Sequence, residues 1–192
     1  METGMERVNK IITHDMYKKY LEKNHRAEEN RCFCRHDMAH FLDVARLAMI
    51  FALQQNGFGI TAAGEQDGFA WRCPEKRRQA EEMIYAAALL HDIGRWKQYE
   101  DKTPHEKASA DLAPEILSDC GFTKEETEQI VNAISNHRNA AVRDEQSFNG
   151  ILYRADKMSR SCFCCEAEAA CDWKGDKKNL VLRYRFFQAE AS

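Results

Sequence analysis

Residues 86–100, AAALLHDIGRWKQYE, place an imidazole beside a carboxylate at the end of an apolar run and break at once on Ile-Gly. Three His-Asp dipeptides occur in the chain: His14-Asp15, His36-Asp37 and His91-Asp92. Only the third follows an unbroken apolar stretch, MIYAAALL at 83–90. A polar pair delivered from a hydrophobic wall is partly desolvated, and desolvated polar groups need partners or a metal. Metal chemistry is therefore the first expectation for His91 and Asp92.

The segment ALLHDIGR, residues 88–95, resembles the signature of the HD-domain superfamily of metal-dependent phosphohydrolases. HFLDVARLA, starting at His40, is similar to that family's first-His segment, and ILYRADKMSR supplies Asp156 as its late Asp. The resemblance spans residues 36–160. It implies a compact all-α helical bundle and a metal set of His40, His91, Asp92 and Asp156. Two imidazoles and two carboxylates suit Mn, Fe, Co, Ni, Zn or Mg. Such a metal polarises a phosphoryl oxygen and lowers the pKa of bound water. His105, in TPHEKASADLA, and His137, ending IVNAISNH, fall where the dinuclear relatives carry two further histidines. Two readings follow. Either Asp92 bridges two metals with His105 and His137 on the second, or one metal binds and these two histidines contact substrate or cap helices.

His36 precedes His40 by one helical turn, so both would share a helix side. The family pattern needs one His here, and His40 has the better flanks. His14 and His25 read as solvated or structural. Arg95 and Arg138 adjoin ligand candidates, and a guanidinium matches phosphate oxygens in bidentate fashion. With Asp92 they form the expected catalytic set. Lys97 and Lys157 read as solvated charges.

Half of the eight cysteines, Cys162, Cys164, Cys165 and Cys171, fall in SRSCFCCEAEAACDW, just after Asp156. Cys32 and Cys34 precede the first-His segment. Thiolates select soft metals, which makes the group of four a candidate for a separate soft-metal site. Its spacing is tighter than that of common zinc ligands, and buried small hydrophobes are the competing reading.

Positioning such residues is the task of helices. The chain has 192 residues, 44% of them hydrophobic and only three of them Pro, a composition that favours helices around one core. Helices are expected at 8–22, 36–55, 75–91, 105–119, 123–137 and 146–160. A Gly-rich loop at 54–74 is a candidate lid, and KKNLVLRYRFF is ambiguous between helix and strand. The expected organisation is an HD-type domain at 1–160, with a Cys-rich extension at 161–192 packed on it. Net charge is −3, which gives no global argument for a nucleic-acid polymer or an anionic membrane. No apolar run reaches the roughly 18 residues of a membrane span, and the first residues lack the core of a secretory signal. A cytoplasmic protein with reduced thiols is the expectation, with oligomer formation open.

The leading functional expectation is a phosphohydrolase that cleaves a phosphoester of a nucleotide or related small molecule by metal-activated water. A di-iron oxygenase with the same ligand order is a rival, distinguished by its need for redox-active iron. A non-catalytic metal protein that docks a partner through its Cys-rich tail is a third reading. It predicts a coordinatively closed site, whereas a catalytic one keeps an open position.

Overall fold

The computed structural model describes residues 4–55 and 73–182, and among these it contains helices and no strand. The fold is all-α, as expected. Eight α-helices follow in order: α1 Glu6–Thr13, α2 Asp15–Ala27, α3 Met38–Gln54, α4 Pro74–Leu90, α5 Arg95–Glu100, α6 His105–Asp119, α7 Lys124–Asn136 and α8 Phe148–Met158. Most of the Gly-rich segment expected as a lid lies outside the described residues. So does the end of the ambiguous tail, which through residue 182 forms one 3₁₀ turn, Gly175–Lys177, and otherwise neither helix nor strand.

Helix ends follow local chemistry. Pro74 opens α4 at a position where its missing N–H costs no bond. Thr123 and Glu126 form both halves of a capping box at α7. Asp37 and Ser147 cap α3 and α8 through their side chains. The segment expected as one helix over 8–22 is instead two. His14 adopts extended backbone (φ −65°, ψ 132°), and its Nδ1 accepts from Met16 N at 3.2 Å, so it caps α2 rather than continuing α1. Two other differences are α5, too short and too polar to show a periodicity of its own, and the start of α3: His36, expected to share a helix side with His40, lies before the Asp37 cap and outside the helix.

Helix α4 is the central element and packs against α1, α3, α6, α7 and α8. Its last turns, from Met83 to Leu90, are buried almost all round, with Ala86, Ala87 and Ala88 fully enclosed. Small side chains let the surrounding helices approach closely, and an all-round apolar helix belongs in a core. Leu89, Leu90, Ile116, Leu117, Ile130, Ile134, Ile151 and Leu152 complete the core around it. Helix α1 is tied on by Arg7, which donates from Nε to Glu82 at 2.6 Å and from Nη1 to Glu126 at 2.7 Å. No helix among the described residues is long and apolar enough to cross a membrane.

Candidate metal centre

His91 and His137 stand at the C-terminal ends of α4 and α7, and their local bonds orient them alike. Each Nδ1–H donates at 2.7 Å to a carbonyl three residues back, Ala88 O for His91 and Ile134 O for His137. A helix end leaves such carbonyls without intrahelical partners. His40, in the first turn of α3, has Nδ1 at 3.2 Å from Ser159 Oγ, whose own proton goes to Asp156 O. His105 opens α6 with Nδ1 at 2.5 Å from Gln98 Oε1. In all four rings the Nδ1 bond leaves Nε2 to face inward, the arrangement that outer partners impose on metal-binding histidines.

The four Nε2 atoms converge on Asp92. His40, His91, Asp92 and Asp156 form one set whose donor atoms all lie within 4.8 Å of one another, and Asp92, His105 and His137 form a second. In the first, Asp92 Oδ2 lies 3.1 Å from His91 Nε2 and 3.7 Å from His40 Nε2, while Asp156 Oδ1 lies 3.7 Å from His40 Nε2. In the second, Asp92 Oδ1 lies 3.2 Å from His105 Nε2 and 3.6 Å from His137 Nε2. One carboxylate therefore faces each set with a different oxygen.

The arrangement fits a metal on chemical grounds. Asp92 Oδ1 is buried without a hydrogen-bond partner, although buried carboxylate oxygens are normally bonded. Imidazole nitrogens 3.3 Å apart, His40 to His91 and His105 to His137, are pairs that either a proton or a shared cation would bridge. Protonation agrees. Burial drives His137 down to about 4 and His105 down to about 2, and it also lowers His40. Burial would raise Asp92, but His91 and His36 beside it hold the carboxyl well below its usual range. Asp156 is lowered likewise, with Lys157 and His91 outweighing burial. His91 is the exception: burial lowers it, yet Asp92 raises it more.

Several partners of this centre carry no sequence signal. Asn24, in α2 and 1% exposed, donates from Nδ2 to Asp92 O at 2.8 Å and accepts at Oδ1 from Trp96 N at 2.8 Å. It pins both ends of the His-Asp turn. Glu28, also buried, lies 2.6 Å from His36 Nδ1 and accepts from Tyr99 Oη at 2.8 Å. Burial opposes its ionisation, but the His36 bond wins and lowers it to about 2. His36 thus joins the centre without entering either donor set, its Nε2 lying 3.7 Å from Asp92 Oδ2. Only an unusual buried Asn or Glu, found after folding, reveals these roles.

The basic residues divide differently from the sequence expectation. Arg95 packs behind His105, with Nη1 at 2.6 Å from its Nδ1 and Nε at 3.7 Å from Glu28. Arg138 is half-exposed and reaches Glu106 at 3.4 Å, outside both sets. Lys157, expected as a solvated charge, instead contacts Asp156 Oδ2, and Arg160 Nη2 lies 3.9 Å from the same oxygen. Lys97 does sit away from the sets, with its ammonium 5.7 Å from the Trp96 ring. His14 and His25 lie outside both sets as well. The cysteines form no set of this kind.

The side chains of His36, His40 and Lys157 keep 13–23% exposure, whereas those of His105 and His137 keep 1–5%. The centre is therefore open on the first set and closed behind the second. A cleft of about 370 Å³ adjoins it, lined by Lys18, Leu21, His25, Glu28, Arg35 and His36 among others.

Comparison of the sequence with known proteins assigns a family. The model of the HD domain family matches residues 38–161, a span that holds both donor sets. The chain is similar to an uncharacterized protein of Clostridium beijerinckii (strain ATCC 51743 / NCIMB 8052), with 37% identity over 181 residues that cover 94% of this chain and 100% of that protein. No solved structure matches. A buried His-Asp turn at the end of an apolar helix, completed by histidines and an aspartate from four other helices within the matched span, places this chain in the HD-domain family.

Proposed function

We propose that this protein is a metal-dependent phosphohydrolase acting on a small phosphoester, with nucleotides as the substrate class the family resemblance favours. The observation that carries the reading is Asp92, whose two oxygens face two separate groups of inward-turned Nε2 atoms. This supports two metals: the first held by His40, His91, Asp92 and Asp156, the second by Asp92, His105 and His137. Divalent ions so held would polarise a phosphoryl oxygen and activate water for attack.

The chain's own residues supply the rest. Lys157 and Arg160, beside Asp156 on the open side, are placed to neutralise a phosphate that reaches the centre. Arg95, buried behind His105, acts on ring position rather than on substrate. Arg138 is placed for a peripheral contact at most. His36, braced by Glu28, turns Nε2 toward the centre from the wall of the adjoining cleft and can bond a substrate oxygen there. The Glu28–Tyr99 bond keeps that imidazole from swinging out.

The oxygenase reading needs the same two-metal geometry, but the cations at the open side favour an anionic substrate. The test is metal analysis of the chain purified without chelator, followed by hydrolysis assays on a panel of nucleoside phosphates with each metal restored. We expect about two ions per chain, falling toward one in His137→Ala, and phosphate release that Asp92→Ala abolishes while helicity by circular dichroism is kept. Unchanged turnover in Asp92→Ala would remove the site assignment. Two irons with dioxygen uptake and no phosphate release would establish the oxygenase instead.

A further inference from the structure

Arg160 is a basic residue of the open side whose hydrogen-bonding capacity is unused. Its side chain keeps only 15% exposure, and a guanidinium carries five N–H donors. Among the described residues none of these donors makes a hydrogen bond, and Nη1 is buried without a partner. The carboxylate oxygen it approaches, Asp156 Oδ2, lies 3.9 Å from Nη2, beyond hydrogen-bond reach, and is already in contact with Lys157. Two other guanidiniums keep a buried unbonded Nε but donate through Nη1: Arg95 to Gln98 Oε1 at 3.3 Å, and Arg154 to the carbonyls of Arg143 and Glu145 at 2.7 and 2.6 Å. A largely buried guanidinium without an acceptor is uncommon and points to a group that arrives with the ligand.

What holds Arg160 is an aromatic ring. Trp173 lies in the C-terminal extension, and the guanidinium carbon stands 3.7 Å from its ring centroid. Arginine stacks on aromatic faces through its planar face. Its N–H groups point outward in that plane, so stacking fixes the guanidinium without engaging a donor. The edge that carries Nη2 is turned toward Asp156 and the centre.

The extension that brings Trp173 has no core of its own. From 159 to 182 not one residue with a described side chain is buried, and none of them joins the hydrophobic core. Its polar links gather at the end of α8. Asn179 Nδ2 donates to the carbonyls of Lys157 and Arg160 at 2.9 Å and of Met158 at 3.2 Å, which a helix end leaves without intrahelical partners. Both Asn179 and Trp173 therefore fasten on the residues that follow Asp156. Apolar burial does not explain that placement, whereas holding Arg160 at the centre does.

We propose that Trp173 is a positioning residue for a substrate anion: it stacks on Arg160 and holds the guanidinium at the open side, so that the C-terminal extension forms a wall of the substrate site. The ligand this geometry fits is a tetrahedral oxyanion such as phosphate, which accepts two parallel N–H bonds from one guanidinium. No strong bond has to break, because Asp156 Oδ2 keeps its contact with Lys157. The inference rests on the phosphohydrolase reading for the substrate that carries the phosphate, whereas anion binding itself needs no turnover.

The experiment is titration of the full chain with inorganic phosphate, followed by calorimetry and by tryptophan fluorescence, with metal content measured on the same samples. Phosphate should change the fluorescence of the wild type. Trp173→Phe should lose most of that change yet keep the calorimetric affinity, because phenylalanine also offers a ring face. Trp173→Ala should weaken phosphate binding about tenfold, the scale of a desolvated cation–π contact, with metal content unchanged. Arg160→Lys, which keeps the charge without the planar fork, should weaken it as much. On whichever nucleoside phosphate is hydrolysed, Trp173→Ala should raise KM by the same factor and leave kcat alone. Unchanged phosphate affinity in Trp173→Ala overturns the proposal, even with a lower melting temperature, since a merely structural clamp behaves so. A wild-type fluorescence that phosphate does not change overturns it without any variant. Phosphate release with a KM indifferent to Trp173 rejects this inference and keeps the phosphohydrolase. Phosphate binding that depends on Trp173, with no release from any substrate, does the reverse.

Discussion

At the scale of single residues, Glu28 shows how a buried charge is held for use. Its carboxyl falls from the ordinary 4.5 to about 2 because His36 and Tyr99 bond the ionised form. A folded pKa below the unfolded one adds stability that is fully present above about 4.5 and lost as pH falls toward about 2. Glu28→Gln should therefore cost up to roughly 3 kcal/mol near neutral pH, with the gap to wild type closing in acid. Urea unfolding at a series of pH values measures it, and a gap that does not change with pH would contradict the assignment. Asn24 is the companion case. Asn24→Ala leaves Trp96 N without its partner and Asp92 O with only Arg95 N as donor, and should cost about 1–3 kcal/mol. It should also weaken metal binding, because the turn that carries both His91 and Asp92 loses its anchor. Isothermal titration with Mn²⁺ beside denaturant unfolding reads both effects.

At the scale of elements, the turn between α4 and α5 decides the centre. Gly94 does not use a glycine's conformational freedom, because its φ of −89° is open to any residue. The reason lies in packing: a Cβ there would meet Ser109 N at 2.5 Å and Ala108 C at 2.7 Å, both in the backbone of α6. Gly94→Ala must push α6 away, and α6 carries His105. Overpacking of this kind costs about 1–3 kcal/mol. We expect a lower melting temperature and loss of the second metal ahead of the first, checked by metal counting on the folded variant. The helices themselves were legible in sequence where a cap or an apolar run marks them, as at Thr123 and at residues 83–90. They were not legible at His14, where a side-chain cap interrupts a continuous polar–apolar pattern, nor at α5, which owes its place to Asn24.

At the scale of the whole molecule, five helices bring the candidate ligands to one point, so the proposed metal binding would be linked to folding. Ions that bind only the folded chain should raise its stability by about 2.7 kcal/mol at a hundredfold excess over Kd. Chelation should lower the melting temperature by the corresponding amount, and Asp92→Asn should abolish that response. Far from the centre, Arg7 holds α1 against α4 and α7. Arg7→Met leaves the buried carboxylates of Glu82 and Glu126 without their cation. Removal of one partner from such a network costs about 3–5 kcal/mol when fully buried. Arg7 keeps some exposure, so we expect the lower end of that range in thermal unfolding, with metal content unchanged.

The sequence by itself determined the helical class, the apolar helix that ends in His91 and Asp92, and, through family resemblance, the histidines and aspartates that gather there. These follow from local rules: residue type, spacing, caps and a short motif. Only the tertiary structure decided that Asp92 divides its oxygens between two sets, that Asn24 and Glu28 brace them, and that Arg138 stands outside both. Each of these depends on which elements pack together, and such neighbours lie scores of residues apart along the chain, where no periodicity or spacing records them.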